Sequence, residues 1–262
     1  MSRAPARMAL LVVVLLALTT AARAADPPVP PGRDPGGVAI AVVGAGLDYR
    51  RGNFAARLAR DGEGELIGWD FVDNDRRPYV AAGGFDPLAA LLLAGSPARL
   101  LPIRVPAGAP GIIARALQLL DEMPARVVLL AADPGQPLED AHLAQAARHL
   151  PRLLLVVPAR IVASPRRTVP AVDPTGLLVV AAVASRTPAD VAMVRVQGEG
   201  PGSLAPASQP DDEAAALVAA LAARVLSAEL DLSGARLRAR ILALAEPGPD
   251  GIPQLNNRVR AP

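Results

Sequence analysis

The chain has 262 residues, with 27 basic and 25 acidic side chains, a formal net charge of +2, 2% aromatic residues and no cysteine. That length carries one α/β domain with a full core. Scattered charge and scarce aromatics exclude a nucleic-acid surface, and the missing cysteines exclude disulfides, thiolate catalysis and Cys-type zinc sites. Every basic residue is an arginine, and the two histidines, His142 and His149, leave little room for histidine-based catalysis.

Residues 1–24 have the parts of a secretory signal: Arg3 and Arg7, an apolar core from Met8 to Leu18, and the cleavage pattern Ala22-Arg23-Ala24. The apolar run is shorter than the roughly 20 residues that span a bilayer. Cleavage after Ala24 and release to the periplasm or medium, with no stable membrane insertion afterwards, is the expectation. Residues 25–37 (ADPPVPPGRDPGG) read as a Pro/Gly-rich linker, 38–246 as the folded domain and 247–262 as an extended tail.

The domain opens with Val38 to Val43, apolar at every position and stopped by Gly44-Ala45-Gly46. Such a run is a strand buried on both faces, central to a parallel sheet, with its carboxyl end at a ligand crevice. The glycines also supply half of a dinucleotide-binding turn, G-x-G-x-x-G, whose third glycine would fall at Tyr49. Asp86, followed by Pro87, predicts an N-cap for a helix reaching Ala94. Strand and helix then alternate: Arg99 to Val105, Pro110 to Glu122, Arg126 to Ala132, Leu138 to Leu150, Leu153 to Val157 and Gly176 to Val183. This alternation predicts an α/β fold, a doubly wound and mostly parallel sheet between helical layers. Ser208 and Asp211 have the spacing of a capping box before another helix, and Ser233 to Ala245 makes the last one. His142 and His149, seven apart on one helix, lack a metal-binding spacing and read as surface residues. Asp70, Asp73 and Asp75 show no EF-hand spacing and read as a solvated loop. No cofactor and no metal is expected.

Several of these segments resemble one family. Val42 to Tyr49 (VVGAGLDY) followed by Gly68 to Asp75 (GWDFVDND) is similar to the first block of the subtilisin-like serine proteases, V-I-D-T-G-V-D-Y and then G-W-D-F-V-D-N-D. Arg99 to Val105 resembles the family's I-M-P-V-R-V, and Gly176 to Val183 its V-I-V-V-A-A. Gly202-Ser203-Leu204-Ala205-Pro206 resembles part of G-P-G-S-V-D-L-A-A-P-G. The run from Ser208 to Ala219 matches S-G-T-S-M-A-A-P-L-V-A-G through Ala214-Ala215 and Leu217-Val218-Ala219.

The resemblance implies a subtilisin-like three-layer fold over Val38 to Ala245 and places the family's triad at three positions. Gly44 stands where the aspartate is expected, Phe85 where the histidine is, and Asp212 where the nucleophilic serine is. Asp212 is expected to act as a cap at its helix N-terminus instead. The strand ending at Val157 leads in the family to A-A-G-N, whose Asn completes the oxyanion hole, but here to Pro158-Ala159-Arg160-Ile161. The thirteen residues after the signal leave no room for the family's folded propeptide. The leading expectation is a pseudoprotease that binds a polypeptide or partner protein. Its rivals are a hydrolase rebuilt on Asp86 and Asp212, and a small-ligand binder using Gly44-Ala45-Gly46.

Overall fold

The computed structural model describes residues 26–163, 175–185, 192–197 and 209–256. Strand β1 (Ala39–Gly44) is buried at every position. It pairs in parallel with β3 (Arg99–Arg104) on one side and with β4 (Val127–Leu130) on the other. Short β2 (Trp69–Asp70) lies outside β3. Beyond β4 come β5 (Leu154–Pro158), β6 (Leu177–Ala182) and β7 (Val194–Gln197), all parallel. A hairpin of β8 (Glu246–Pro247) and β9 (Pro253–Asn256) forms the far edge, with β9 parallel to β7 and β8 antiparallel to β9. The order is β2-β3-β1-β4-β5-β6-β7-β9-β8. The expected doubly wound α/β sheet is present, with β1 interior but third from the edge rather than central.

Period-two alternation makes this a three-layer molecule. Successive strand residues point to opposite faces, and the apolar residues here fall into two cores accordingly. Ile40, Val42, Leu154, Val156, Leu178 and Val180 face one core, shared with α1 (Asp86–Leu93), α4 (Pro210–Ala228) and α5 (Gly234–Leu242). Ala41, Val43, Leu155, Val157, Val179 and Ala181 face the other, covered by α2 (Pro110–Leu119) and α3 (Asp140–His149). Each fully buried Val, Leu or Ile contributes about 1.5–3 kcal/mol relative to exposure, so strands apolar at every position can form only where both faces are covered. Helix α5 begins in close contact with the sheet. A β-carbon at Gly234 would come within 1.9 Å of the Leu153 carbonyl oxygen, so only glycine fits, and Ser233 caps the helix by accepting from the Arg236 amide.

Two assigned boundaries change. The expected tail is in part packed into the folded body, because Pro253–Asn256 pairs with β7 and Ile252 and Leu255 are buried. These two side chains supply the apolar face that a tail dominated by Pro and Gly conceals in sequence. The segment read as a linker is held against the domain by donors from the folded part. Tyr49 donates its hydroxyl to the Pro27 carbonyl, Arg60 donates to the Pro30 carbonyl at 2.6 Å, and Arg99 pairs with Asp34. Burial pushes the Tyr49 hydroxyl up to about 12, keeping it a donor. The segment expected to be a signal, the 202–206 block and Ser208 of the expected capping box lie outside the described residues.

Candidate functional site

In open parallel sheets ligands bind beyond the carboxyl ends of the strands, and the three triad-matching positions fall at that edge or on helices beginning there. Gly44 is the last residue of β1 and Phe85 immediately precedes α1. They are neighbours: a β-carbon on Gly44 would lie 2.9 Å from Phe85 Cδ1 and 3.3 Å from the Ala131 carbonyl oxygen. Phe85 is buried, and its amide donates to the Gly46 carbonyl at 2.9 Å. The space that a side chain at Gly44 would need is filled by the Phe85 ring.

Asp212 lies in the first turn of α4. It is not the cap expected from the sequence: Gln209 is the N-cap residue and makes no side-chain cap bond. The carboxylate instead receives two hydrogen bonds from Arg160, Nε to Oδ1 at 2.7 Å and Nη2 to Oδ2 at 2.9 Å. Burial pushes the Asp212 carboxyl above the ordinary carboxylate value, against the lowering effect of Arg160. Its neighbour Asp211 is also buried and accepts from the Ala182 amide at 2.9 Å, tying α4 to the end of β6. Arg160 was visible in sequence only as part of the stretch without the family's Asn. It sits on the short 3-10 turn Ala159–Ile161, directly after β5. Its pairing with Asp212, 52 residues away, had no local signal.

Asp86 also departs from expectation. Phe85 holds the N-cap position and Asp86 is the first helical residue. Its Oδ2 lies 3.5 Å from the Asp48 amide, while its Oδ1 is buried without a partner among the described residues. Burial raises the Asp86 carboxyl pKa. The Asp48 carboxylate is spent on Arg50 and Arg51. Asp86 and Asp212 therefore share no hydrogen-bond partner among the described residues.

The dinucleotide turn loses its geometry as well. No helix opens after Gly44-Ala45-Gly46; the next helical turn is the short Phe54–Arg57. The Gly44 carbonyl accepts from Val105 and the Gly46 carbonyl from Phe85, so the turn is knitted to β3 and α1. Gly46 has a φ of 106°, which requires glycine for backbone reasons alone. His142 and His149 are exposed on α3, across the sheet from α1 and α4. Both line an apolar groove of about 430 Å³ between α2 and α3, floored by Ile113, Leu117, Leu143 and Leu150.

The block Trp69 to Asp75 is a structural knot rather than a solvated loop. Asp70 is wholly buried and accepts from the Val72 and Asp73 amides at 2.6 and 3.0 Å. Asp70 and Asp75 exchange both backbone hydrogen bonds, closing a turn in which Asn74 takes a positive φ of 56°. Asp26, Asp70 and Asp73 bring three carboxylates close enough to hold a metal ion. Arg104 Nη1 already stands among them, 2.8 Å from Asp70 and 2.7 Å from Asp73.

Comparison with solved structures follows the same outline. A cold-adapted subtilisin-like serine proteinase superposes with a TM-score of 0.51 at 15% identity, over 90% of this chain and 94% of that one. The serine protease MycP1, an essential component of the type VII (ESX-1) secretion system, gives 0.57 at 17% identity over 86% and 83%. MycP3 from the type VII (ESX-3) system gives 0.56 at 17% identity over 86% and 82%. The fold is subtilisin-like. No family model matches the sequence, and no curated protein matches it. At these identities the agreement concerns architecture, and the chemistry has to be read from this chain's own residues.

Proposed function

We propose that this chain is an exported subtilisin-like pseudoprotease that binds a polypeptide and does not hydrolyse it. The observation that carries the reading is the packing of the triad-matching positions into groups unsuited to acyl transfer. Gly44 offers no carboxylate, the buried Phe85 ring offers no proton acceptor, and Asp212 is engaged by Arg160. Triad members act as a unit, and losing all three costs about six orders of magnitude in kcat. The remaining 10³–10⁴-fold of triad-less enzymes, roughly, rests on the oxyanion hole and substrate binding, and the stretch expected to provide the Asn provides Arg160. Export is supported by the residue pattern of 1–24, and no helix among the described residues is long and apolar enough to cross a membrane. A polypeptide as partner is supported by the subtilisin-like scaffold, on which two neighbours serve type VII secretion systems.

The test is reaction with a fluorophosphonate serine probe and hydrolysis of a denatured protein substrate. The wild type is compared with the triple variant Gly44→Asp, Phe85→His, Asp212→Ser. Both are expected to be inert, the variant because its oxyanion stretch is still that of the wild type. Probe labelling of the wild type that disappears on heat denaturation would overturn the reading.

A further inference from the structure

We propose that Arg160 is a carboxylate receptor for the bound polypeptide and that Asp212 is its resident internal ligand, an autoinhibitory latch that an acidic segment displaces. The proposal deepens the polypeptide-binding reading and rests on it for the nature of the partner. A guanidinium has five N–H donors in a rigid fork. Arg160 spends Nε and Nη2 on Asp212, and Nη1 engages nothing among the described residues. The Arg160 side chain is 30% exposed while the Asp212 side chain is 10% exposed, so solvent reaches the arginine more readily than the carboxylate it holds. An incoming carboxylate can therefore engage the Nη1 edge before Asp212 leaves.

The receptor is held rigidly. Its short 3-10 turn is fixed to the segment before α3 by Leu138 N to Ile161 O at 2.7 Å and Ala163 N to Leu138 O at 2.8 Å. The ligand is less comfortable. Burial disfavours the ionised form of Asp212, Arg160 opposes this by hydrogen bond and charge, and the adjacent Asp211 and Glu213 carboxylates add to the effect of burial. A tethered carboxylate on a fixed arginine, with like charges beside it, is arranged to be exchanged for an external one. Planar bidentate recognition of this kind selects carboxylates over neutral amides.

The experiment uses the full-length protein after export and titrates three hexapeptides of one length by calorimetry. One carries two glutamates with both ends blocked, one carries glutamines with both ends blocked, and one is the glutamine peptide with a free carboxyl terminus. Asp212→Asn keeps the shape and removes the charge. It is expected to bind the glutamate peptide at least tenfold tighter than the wild type, with the glutamine peptide unchanged. Adding Arg160→Gln to Asp212→Asn is expected to abolish the preference. A gain confined to the third peptide instead identifies a terminal carboxylate as the ligand. Binding of the peptides with no gain for either carboxylate in Asp212→Asn overturns the latch. A second arm reads the receptor without any peptide: acetate, compared with chloride, should raise the melting temperature of Asp212→Ala but not of Asp212→Ala with Arg160→Gln. Binding of no peptide with acetate rescue intact sinks the polypeptide reading alone, and absence of the acetate effect sinks the receptor.

Discussion

Gly44 and Phe85 are best understood as one packing unit made of two residues. The ring occupies the space into which a side chain at Gly44 would grow, so a change at either position is felt at the other. Gly44→Ala should cost about 1–3 kcal/mol by overpacking, and Phe85→Ala about 3–5 kcal/mol by leaving a cavity. The double variant should be less destabilised than the sum, which a denaturant-melt cycle measures; simple additivity would refute the contact. Asp86 makes a second residue-level case. Its folded pKa is raised by burial, so above the unfolded value of 3.8 the native state holds its proton more tightly than the unfolded state. Stability contributed by this carboxyl therefore falls as pH rises through the window from 3.8 to the folded pKa. The stability of Asp86→Asn minus that of the wild type should climb across that window and then level off. A flat difference from pH 3 to 8 would contradict the assignment. At this scale the sequence made legible that Gly44 ends a strand and that Phe85 and Asp212 lie at helix starts. It concealed what they touch: Arg160 and Asp212 are joined only by the folding of the intervening strand and helix.

Among the elements, those with a strong period were legible and those defined by a partner were not. β1, β4, β5 and β6 announce themselves as apolar runs, and α4 by a long series of small apolar residues after three carboxylates. β9 has only Leu255 buried at the 2% level among polar neighbours, and it exists because β7 offers an unpaired edge. Deleting residues 246–262 removes the burial of Ile252 and Leu255 and the Arg195–Asp250 pair. The expected loss is roughly 3–6 kcal/mol from the two side chains, taken as an upper bound. The deletion also bares an edge strand that invites association. The check is a urea melt combined with light scattering; an unchanged midpoint and a monodisperse chain would show that the hairpin is dispensable.

Taken as a whole, the molecule has a scaffold whose two cores are legible from alternation alone, while its carboxyl edge is built from long-range contacts. The scaffold is legible because each strand residue answers to a local rule, apolar on both faces. The edge answers to pairwise contacts between distant segments, Gly44 with Phe85 and Arg160 with Asp212, and no local rule describes those. The N-terminal segment belongs to this scale too, since its bonds to Tyr49, Arg60 and Arg99 make residues 26–37 part of the folded body.

The arginine lodged among Asp26, Asp70 and Asp73 has a physiological consequence. A counter-ion carried on the chain cannot be chelated, diluted or exchanged with the surroundings, so this corner keeps a cation beside its carboxylates whatever divalent ions the medium holds. A calcium ion held at a thousand times its dissociation constant would add about 4 kcal/mol of stability, and a chelator would take that away. Here the melting temperature should be the same in EDTA and in millimolar calcium. Arg104→Ala should make it depend on the calcium supplied, turning a self-sufficient fold into one provisioned by its environment.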